Sequence, residues 1–275
     1  MILFYAFGGG LGHVSRSMAI ADQLGFENYK ILTAGGLAET VVPEDKLILI
    51  DQSLKDNIAE LKSNLKNILE SNTVNEIFID SFPLGILGEL REFIWPEACK
   101  KTYIARLIKW REYLAERSNI VPVFDRVIQI ESLSNDHQAF LQENYKVEHL
   151  EIKKEAISQC KLTDAEHAVI CHTGSDEELL ELCSFAQEII SFKKLKTLKL
   201  FLISPHQPKG MPDQITWCST SMARKYFGYA KFIFSACGFN MMNECEIYRE
   251  KHYFLPFKRK FDDQFFRAAQ YRRKN

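Results

Sequence analysis

Apolar residues fall along this chain in two alternating rhythms. Short β-branched and aromatic runs at residues 2–7, 30–34, 47–51, 76–80, 102–105 and 126–130 predict strands. Between them, apolar positions recur every three or four residues. Val14, Met18, Ala21 and Ile20 or Leu24 share one face of a helix expected over 13–24. Leu54, Ile58, Leu61, Leu65, Ile68 and Leu69 do the same over 53–69. Such alternation is the signature of βα units around parallel sheets. Around 147–161 the pattern loosens into a charged stretch of no clear period. The rhythm then restarts, with strands at 167–171, 198–203 and 232–235 and helices at 177–190 and 222–229. That restart predicts an α/β chain of two Rossmann-like domains, 1–152 and 153–275, facing across a cleft. No internal repeat or low-complexity tract interrupts it.

Composition narrows the partners. The 275 residues are 46% hydrophobic and 26% charged with a net charge of −1, so bulk electrostatics give no case for nucleic acid. The basic C-terminal run around Arg272 and Arg273 reads as a solvated end, with a peripheral membrane contact as the alternative. Seven cysteines, odd in number, scattered and never in a CxxC, argue against both a disulfide framework and a zinc site. The chain opens on a strand rather than a signal sequence and contains no apolar run near the ~20 residues of a membrane span. A cytoplasmic location is expected.

Three constellations could carry chemistry. The first is the glycine turn after the first strand, with Gly8, Gly9, Gly10 and Gly12 followed by His13. Glycines let backbone approach a ligand, and free N–H groups at a helix start favour an anion. A dinucleotide fingerprint would need glycine where His13 stands and an acid after the second strand, which ends at Ala34. At a helix start the dipole disfavours the imidazolium, so His13 reads either as a neutral base or as a local backbone cap. Arg16, one turn on, either balances phosphate charge or sits in solvent.

The second is the end of the fourth strand, Asp80 and Ser81. They face the crevice or merely cap a helix that would include Leu87 to Leu90. Arg106, at the end of the next strand, shares that ambiguity. The third is the turn after a strand, ending in Gly238, Phe239 and Asn240, then Asn243 and Glu244, then 256–259 ending in Arg259, then Asp262, Asp263 and Gln264, then Arg267 and Ala268. Asn240 and Glu244 lie one helical turn apart, and a carboxylate there can accept both hydroxyls of a ribose. Gln264 can donate to and accept from a sugar.

These residues resemble the N-terminal glycine loop and the C-terminal nucleotide-sugar signature of GT-B glycosyltransferases. The likeness is to the peptidoglycan N-acetylglucosaminyltransferase-like group and to related predicted bacterial glycosyltransferases, over most of the chain. It implies a metal-independent enzyme without a resident cofactor, moving sugar from a nucleoside diphosphate donor, a UDP-sugar first, to a hydroxyl of a glycan, lipid or small molecule. The donor would lie in the C-terminal domain and the acceptor in the N-terminal one. Glu244 would hold the ribose, Gln264 the donor sugar, and Gly238, Phe239 and Asn240 would border the diphosphate. Thr173, Gly174 and Ser175 would match the family's glycine–serine loop, with fewer glycines. Gly9, Gly10, Gly12, Arg16, Ser81 and Arg106 would line the acceptor and phosphate side, with His13 or Asp80 as base. The compact length, with Gly12, His13 and Arg16, also resembles a nucleotide-sugar hydrolase of pseudaminic acid synthesis. Alternatives on the same fold are therefore a hydrolase, an epimerase, or a non-catalytic nucleotide-sugar-binding subunit of a partner enzyme.

Overall fold

The computed structural model describes residues 1–8, 11–34, 36–118, 120–153, 156–220 and 222–273. The chain divides into two compact units. Unit 1 holds Met1–Lys153 together with the short segment Lys260–Asp263, and unit 2 holds Lys154–Arg259 and Gln264–Asn275.

In unit 1 the chain runs through β1 (Ile2–Tyr5), α1 (Leu11–Gln23), β2 (Tyr29–Thr33), β3 (Leu47–Leu49), α2 (Ile58–Ser71), β4 (Glu76–Asp80) and β5 (Lys100–Ala105). It continues through α3 (Trp110–Arg117), β6 (Arg126–Gln129), α4 (Asn135–Asn144) and β7 (Val147–His149). All seven strands are parallel, in the order β3-β2-β1-β4-β5-β6-β7. Leu3, Tyr5, Ile77, Ile79, Tyr103 and Val127 point from the sheet into a core closed by Leu61, Leu65 and Leu69 of α2. The central strands are buried on both faces, which is why they read as continuous apolar runs rather than as alternating ones.

Unit 2 repeats the plan with β8 (His167–Cys171), α5 (Asp176–Phe192), β9 (Lys199–Ile203), β10 (Ile215–Cys218), β11 (Phe232–Ala236), α6 (Phe239–Glu244), β12 (His252–Leu255) and α7 (Gln264–Arg273). Its five strands are parallel in the order β10-β9-β8-β11-β12. Leu179, Leu182, Cys183, Ala186 and Ile190 of α5 cover one face of that sheet.

In each unit the strand order reverses beside the first strand. The chain steps outward from β1 to β3 and returns to place β4 on the other side of β1. It steps from β8 to β10 and returns with β11 beside β8. Carboxyl ends of the two strands at such a reversal flank a crevice, because the following loops diverge to opposite sides. In unit 1 those ends carry residues 6–8 and Asp80; in unit 2 they carry residues 172–175 and Cys237 with its following turn.

Three expected helices differ in the structure. The helix expected at 53–69 is broken: Asp51 caps a 3-10 turn over Gln52–Asp56, and Asn57 then caps α2, accepting from Glu60 N. The helix expected at 222–229 is a single 3-10 turn, Ala223–Tyr226, stopped before Gly228. No helix covers Leu87 to Leu90. Gly85 and Gly88 have φ of +78° and +87°, values at which a helix cannot continue. Strands β7, β10 and β12 and helices α3 and α4 are too short, too exposed or too polar in sequence to carry a clear period.

Candidate active site

At the reversal point of unit 1, His13 stands in the first turn of α1 and Asp80 is the last residue of β4. His13 Nδ1 lies 2.5 Å from Asp80 Oδ2. Arg16, one turn further along α1, donates from Nε to Asp80 Oδ1 at 2.8 Å and from Nη2 to Oδ2 at 2.5 Å. The carboxylate has no side-chain exposure, Arg16 has 3% and His13 has 14%. Ser81 follows with φ +71°, its Oγ donating to Asp80 Oδ1 at 3.1 Å and its backbone oxygen accepting from the Tyr103 hydroxyl at 3.1 Å. A non-glycine residue there is strained, and such strain collects where a side chain must be aimed. Arg106, just beyond β5, donates from Nε to Ser81 Oγ at 2.7 Å.

Electrostatics fix the protonation states. Burial alone would raise the Asp80 carboxyl, but the Arg16 guanidinium and His13 outweigh it and hold it well below the usual carboxylate range. Asp80 is thus ionised and can only accept, so His13 Nδ1 carries the hydrogen between them. Burial lowers the His13 imidazole below its ordinary value, and the Asp80 charge only partly restores it. The ring is therefore neutral near physiological pH, with its lone pair on Nε2. A buried carboxylate orienting a neutral imidazole is the arrangement of a general base.

Gly8 makes room for this ring. A Cβ at Gly8 would lie 2.7 Å from His13 Cδ2 and 2.9 Å from Nε2. Gly8→Ala is accordingly expected to push His13 off Asp80 while destabilising the fold by only about 1–3 kcal/mol. Loss of the far-downfield Nδ1 proton resonance in NMR, in a protein that still unfolds cooperatively, is the expected readout. Sequence reading placed Gly8 in the turn without singling it out. Gly9 and Gly10 lie outside the described residues. Gly12 is within α1.

Arg16 and Ser81 are brought to Asp80, and Arg106 to Ser81, as one buried network. Among the described residues no group of His, Cys, Asp and Glu side chains is placed to hold a metal ion.

Unit 2 gathers the C-terminal candidates at its own reversal point. Gly238 caps α6, Phe239 is buried, and Asn240 and Glu244 are half-buried on that helix. The Cys171 thiol, at the end of β8, is pushed up to about 12 by burial and then by the Glu244 charge. Glu244 is thus near enough to that strand end for its charge to act there. Gln264 is buried, with Oε1 accepting from Phe257 N at 3.0 Å. Only its Nε2 remains to be directed at a ligand. Arg267 donates from Nη1 to Cys237 O at 2.9 Å, tying α7 to the turn after β11.

The Thr173, Gly174 and Ser175 loop is different in character. Ser175 caps α5, and Asp176, Glu177 and Glu178 fill its first turn. Glu178 accepts from Arg259 Nη2 at 2.6 Å and lies 2.7 Å from His172 Nε2. Three carboxylates already answer the helix dipole, with Asp176 paired to His206 and Glu178 to Arg259 and His172, so this loop offers a diphosphate little free positive potential. Arg259 lies in the 256–264 stretch that the sequence singles out, whereas His172 and Glu178 were not found from the sequence. The Ser-x-x-Glu spacing from Ser175 to Glu178 reads as an ordinary capping box, and nothing local reveals that the carboxylate turns to Arg259 instead.

No family model matches the sequence, and no curated protein sequence matches it. Solved structures do. The glycotransferase of kitacinnamycin superimposes with a TM-score of 0.62 at 14% identity, over 98% of this chain and 83% of that one. Spinosyn rhamnosyltransferase SpnG complexed with thymidine diphosphate gives 0.56 at 8% identity, over 98% and 83%. UDP-N-acetylglucosamine 2-epimerase from Rickettsia bellii gives 0.55 at 12%, over 90% and 76%. With two parallel Rossmann-like sheets per chain, that likeness decides the architecture. The fold is of the GT-B type. At such identities the likeness speaks to the fold alone, and the GT-B fold carries both transferases and epimerases. Among the described residues of this GT-B chain, no helix is long and apolar enough to cross a membrane.

Proposed function

We propose that the chain is a glycosyltransferase using a nucleoside diphosphate sugar, with His13 as general base and Asp80 as the group that orients it. The observation that carries this reading is the 2.5 Å contact of His13 Nδ1 with a fully buried, ionised Asp80 at the reversal point of unit 1. His13 Nε2 takes the proton of an acceptor hydroxyl as that oxygen attacks the anomeric carbon. The bond from that carbon to the diphosphate oxygen breaks, and the nucleoside diphosphate departs with the electron pair. Asp80 stays ionised and stabilises the imidazolium that forms. Asp80 is not the base in this reading, because all its oxygens serve Arg16, Ser81 and His13.

The donor is assigned to unit 2, with Glu244 on the ribose, Gly238, Phe239 and Asn240 beside the diphosphate, and Gln264 Nε2 towards the sugar. The acidic first turn of α5 leaves Thr173, Gly174 and Ser175 the weaker part of that assignment. A uridine diphosphate sugar is the first donor to test. The thymidine diphosphate complex among the similar structures makes the thymidine form the second.

A thermal-shift and calorimetric screen of nucleoside diphosphates and their sugars tests the reading directly. One diphosphate should stabilise the protein. Glu244→Ala should then weaken that ligand by about 1.5–3 kcal/mol, the worth of a charged acceptor on ribose hydroxyls. An unchanged affinity in that variant would remove the donor from this place. The epimerase likeness favours one second reading, an epimerase or hydrolase on the same fold. Incubation with donor alone separates it, since only that reading yields an altered or hydrolysed sugar without an acceptor.

A further inference from the structure

Four residues far along the chain, Lys260–Asp263, belong to unit 1 rather than to unit 2. They run beside the residues that follow β5. Lys109 N donates to Phe261 O at 2.7 Å, and Ile108 and Asp262 form an antiparallel bridge. Phe261 is 3% exposed and packs with Phe82, Ile108, Trp110 and Tyr113. Its ring meets Phe82 at 6.0 Å and Tyr113 at 5.1 Å, both edge-on. This wedge delivers one charged group to the base site, since Asp262 Oδ1 accepts from Arg106 Nη1 at 2.6 Å.

We propose that Asp262 is a positioning residue for the base: it pins Arg106 against Ser81, so that the Asp80 oxygens remain committed to His13 and Arg16. The hydrogen-bond inventory supports this. Ser81 Oγ gives its one hydrogen to Asp80 Oδ1 at 3.1 Å. Its lone pairs accept from Arg106 Nε at 2.7 Å and Arg16 Nη2 at 3.2 Å. The hydroxyl is saturated, and its orientation depends on where Arg106 is held. Asp80 Oδ1 in turn receives Ser81 and Arg16, while Oδ2 receives His13 and Arg16.

Charge balance points the same way. The buried cluster holds two guanidinium groups, Arg16 and Arg106, and two carboxylates, Asp80 and Asp262, around a neutral imidazole. With Asp262 neutralised, Arg106 would become a second cation seeking Asp80. It would compete with His13 Nδ1 for Oδ2, and its field would act unopposed on the imidazole, whose protonation Arg16 and Arg106 already disfavour. Sequence spacing gives no sign of this contact, since Asp262 lies within the 256–264 stretch that the resemblance matches to the donor side.

The proposal rests on His13 being the base, but its test does not need turnover. The imidazole nitrogens of the full-length protein are followed by NMR against pH, with His13 assigned by its absence in His13→Gln. Asp262→Asn should lower the His13 midpoint by on the order of one pH unit and weaken its downfield Nδ1 proton. Asp262→Glu should restore both. Glu116→Gln, which loosens the same segment at Lys260 without touching Arg106, should change neither. An unaltered titration in Asp262→Asn, or an equal shift in Glu116→Gln, would overturn the proposal. Should Asp262→Asn not fold, the Arg106→Met/Asp262→Asn double variant is compared with Arg106→Met alone. An effect exerted through Arg106 requires these two to titrate alike, and a difference sinks it. If no donor is ever turned over, the glycosyl-transfer reading fails while the titration still decides the role of Asp262.

Discussion

His13→Ala is expected to lower turnover by about 10²–10⁴-fold, the usual worth of a positioned general base, with donor affinity unchanged. The reason lies in where the residue sits. His13 belongs to unit 1, whereas the residues assigned to the donor belong to unit 2. Its imidazole is neutral and has its second nitrogen taken by Asp80, so it offers a lone pair and no charge to a phosphate. The measurement is initial rate and calorimetric donor affinity on the same preparations. A loss confined to kcat assigns the proton transfer. Equal loss of donor affinity would make His13 a phosphate contact instead. The pH profile carries the same information with a sign. Because burial lowers His13 below its ordinary value near 6.5, wild-type activity should persist as pH falls through 6.5 and decline only at the lower His13 value. An acidic limb centred at or above 6.5 would contradict a buried, neutral base.

Some of this was legible from residues alone. The parallel architecture followed from β-rich runs alternating with helical periods, and the strands nearest each reversal point were the plainest because burial on both faces makes their middles apolar. Edge strands such as β7 and β10 carry exposed polar residues and left no comparable mark. Asp80 and His13 could each be suspected from a strand end and a helix start. Their contact could not, since only the β1–β4 pairing makes neighbours of residues so far apart in sequence. Arg16 illustrates the limit of local reading: a helical arginine beside a glycine turn suggests an anion in solution, and the fold turns it inward onto Asp80. Asp262 illustrates it more strongly, because the chain returns to unit 1 for four residues with no break in composition to announce it.

Asp80→Asn should be the most destabilising single change at this site and should also abolish most activity. Two effects act on different links of the argument. On stability, the substitution leaves the Arg16 guanidinium, 3% exposed, without its carboxylate, and breaking a buried pair by removing one partner costs about 3–5 kcal/mol. On chemistry, the asparagine can present an N–H to His13 Nδ1. That selects the tautomer with hydrogen on Nε2, where the base needs its lone pair, and a wrong tautomer costs about 10⁴-fold in a comparable dyad. The stability loss has a pH signature that separates it from simple misfolding. The folded Asp80 value is depressed below the unfolded value of about 3.9, so the stabilisation from its charge is fully present above that pH and is lost as pH falls through the folded value. His13 works in the same direction over a higher window. Its folded value lies below about 6.5, so the unfolded chain takes up a proton first, and stability declines as pH falls from there. Denaturant midpoints of wild type and Asp80→Asn should therefore differ most near neutral pH and converge below about pH 4, where the unfolded carboxylate protonates. A difference that stays constant down to strongly acid pH would mean that the carboxylate's charge is not what holds Arg16, and both the buried pair and the orienting role of Asp80 would have to be given up.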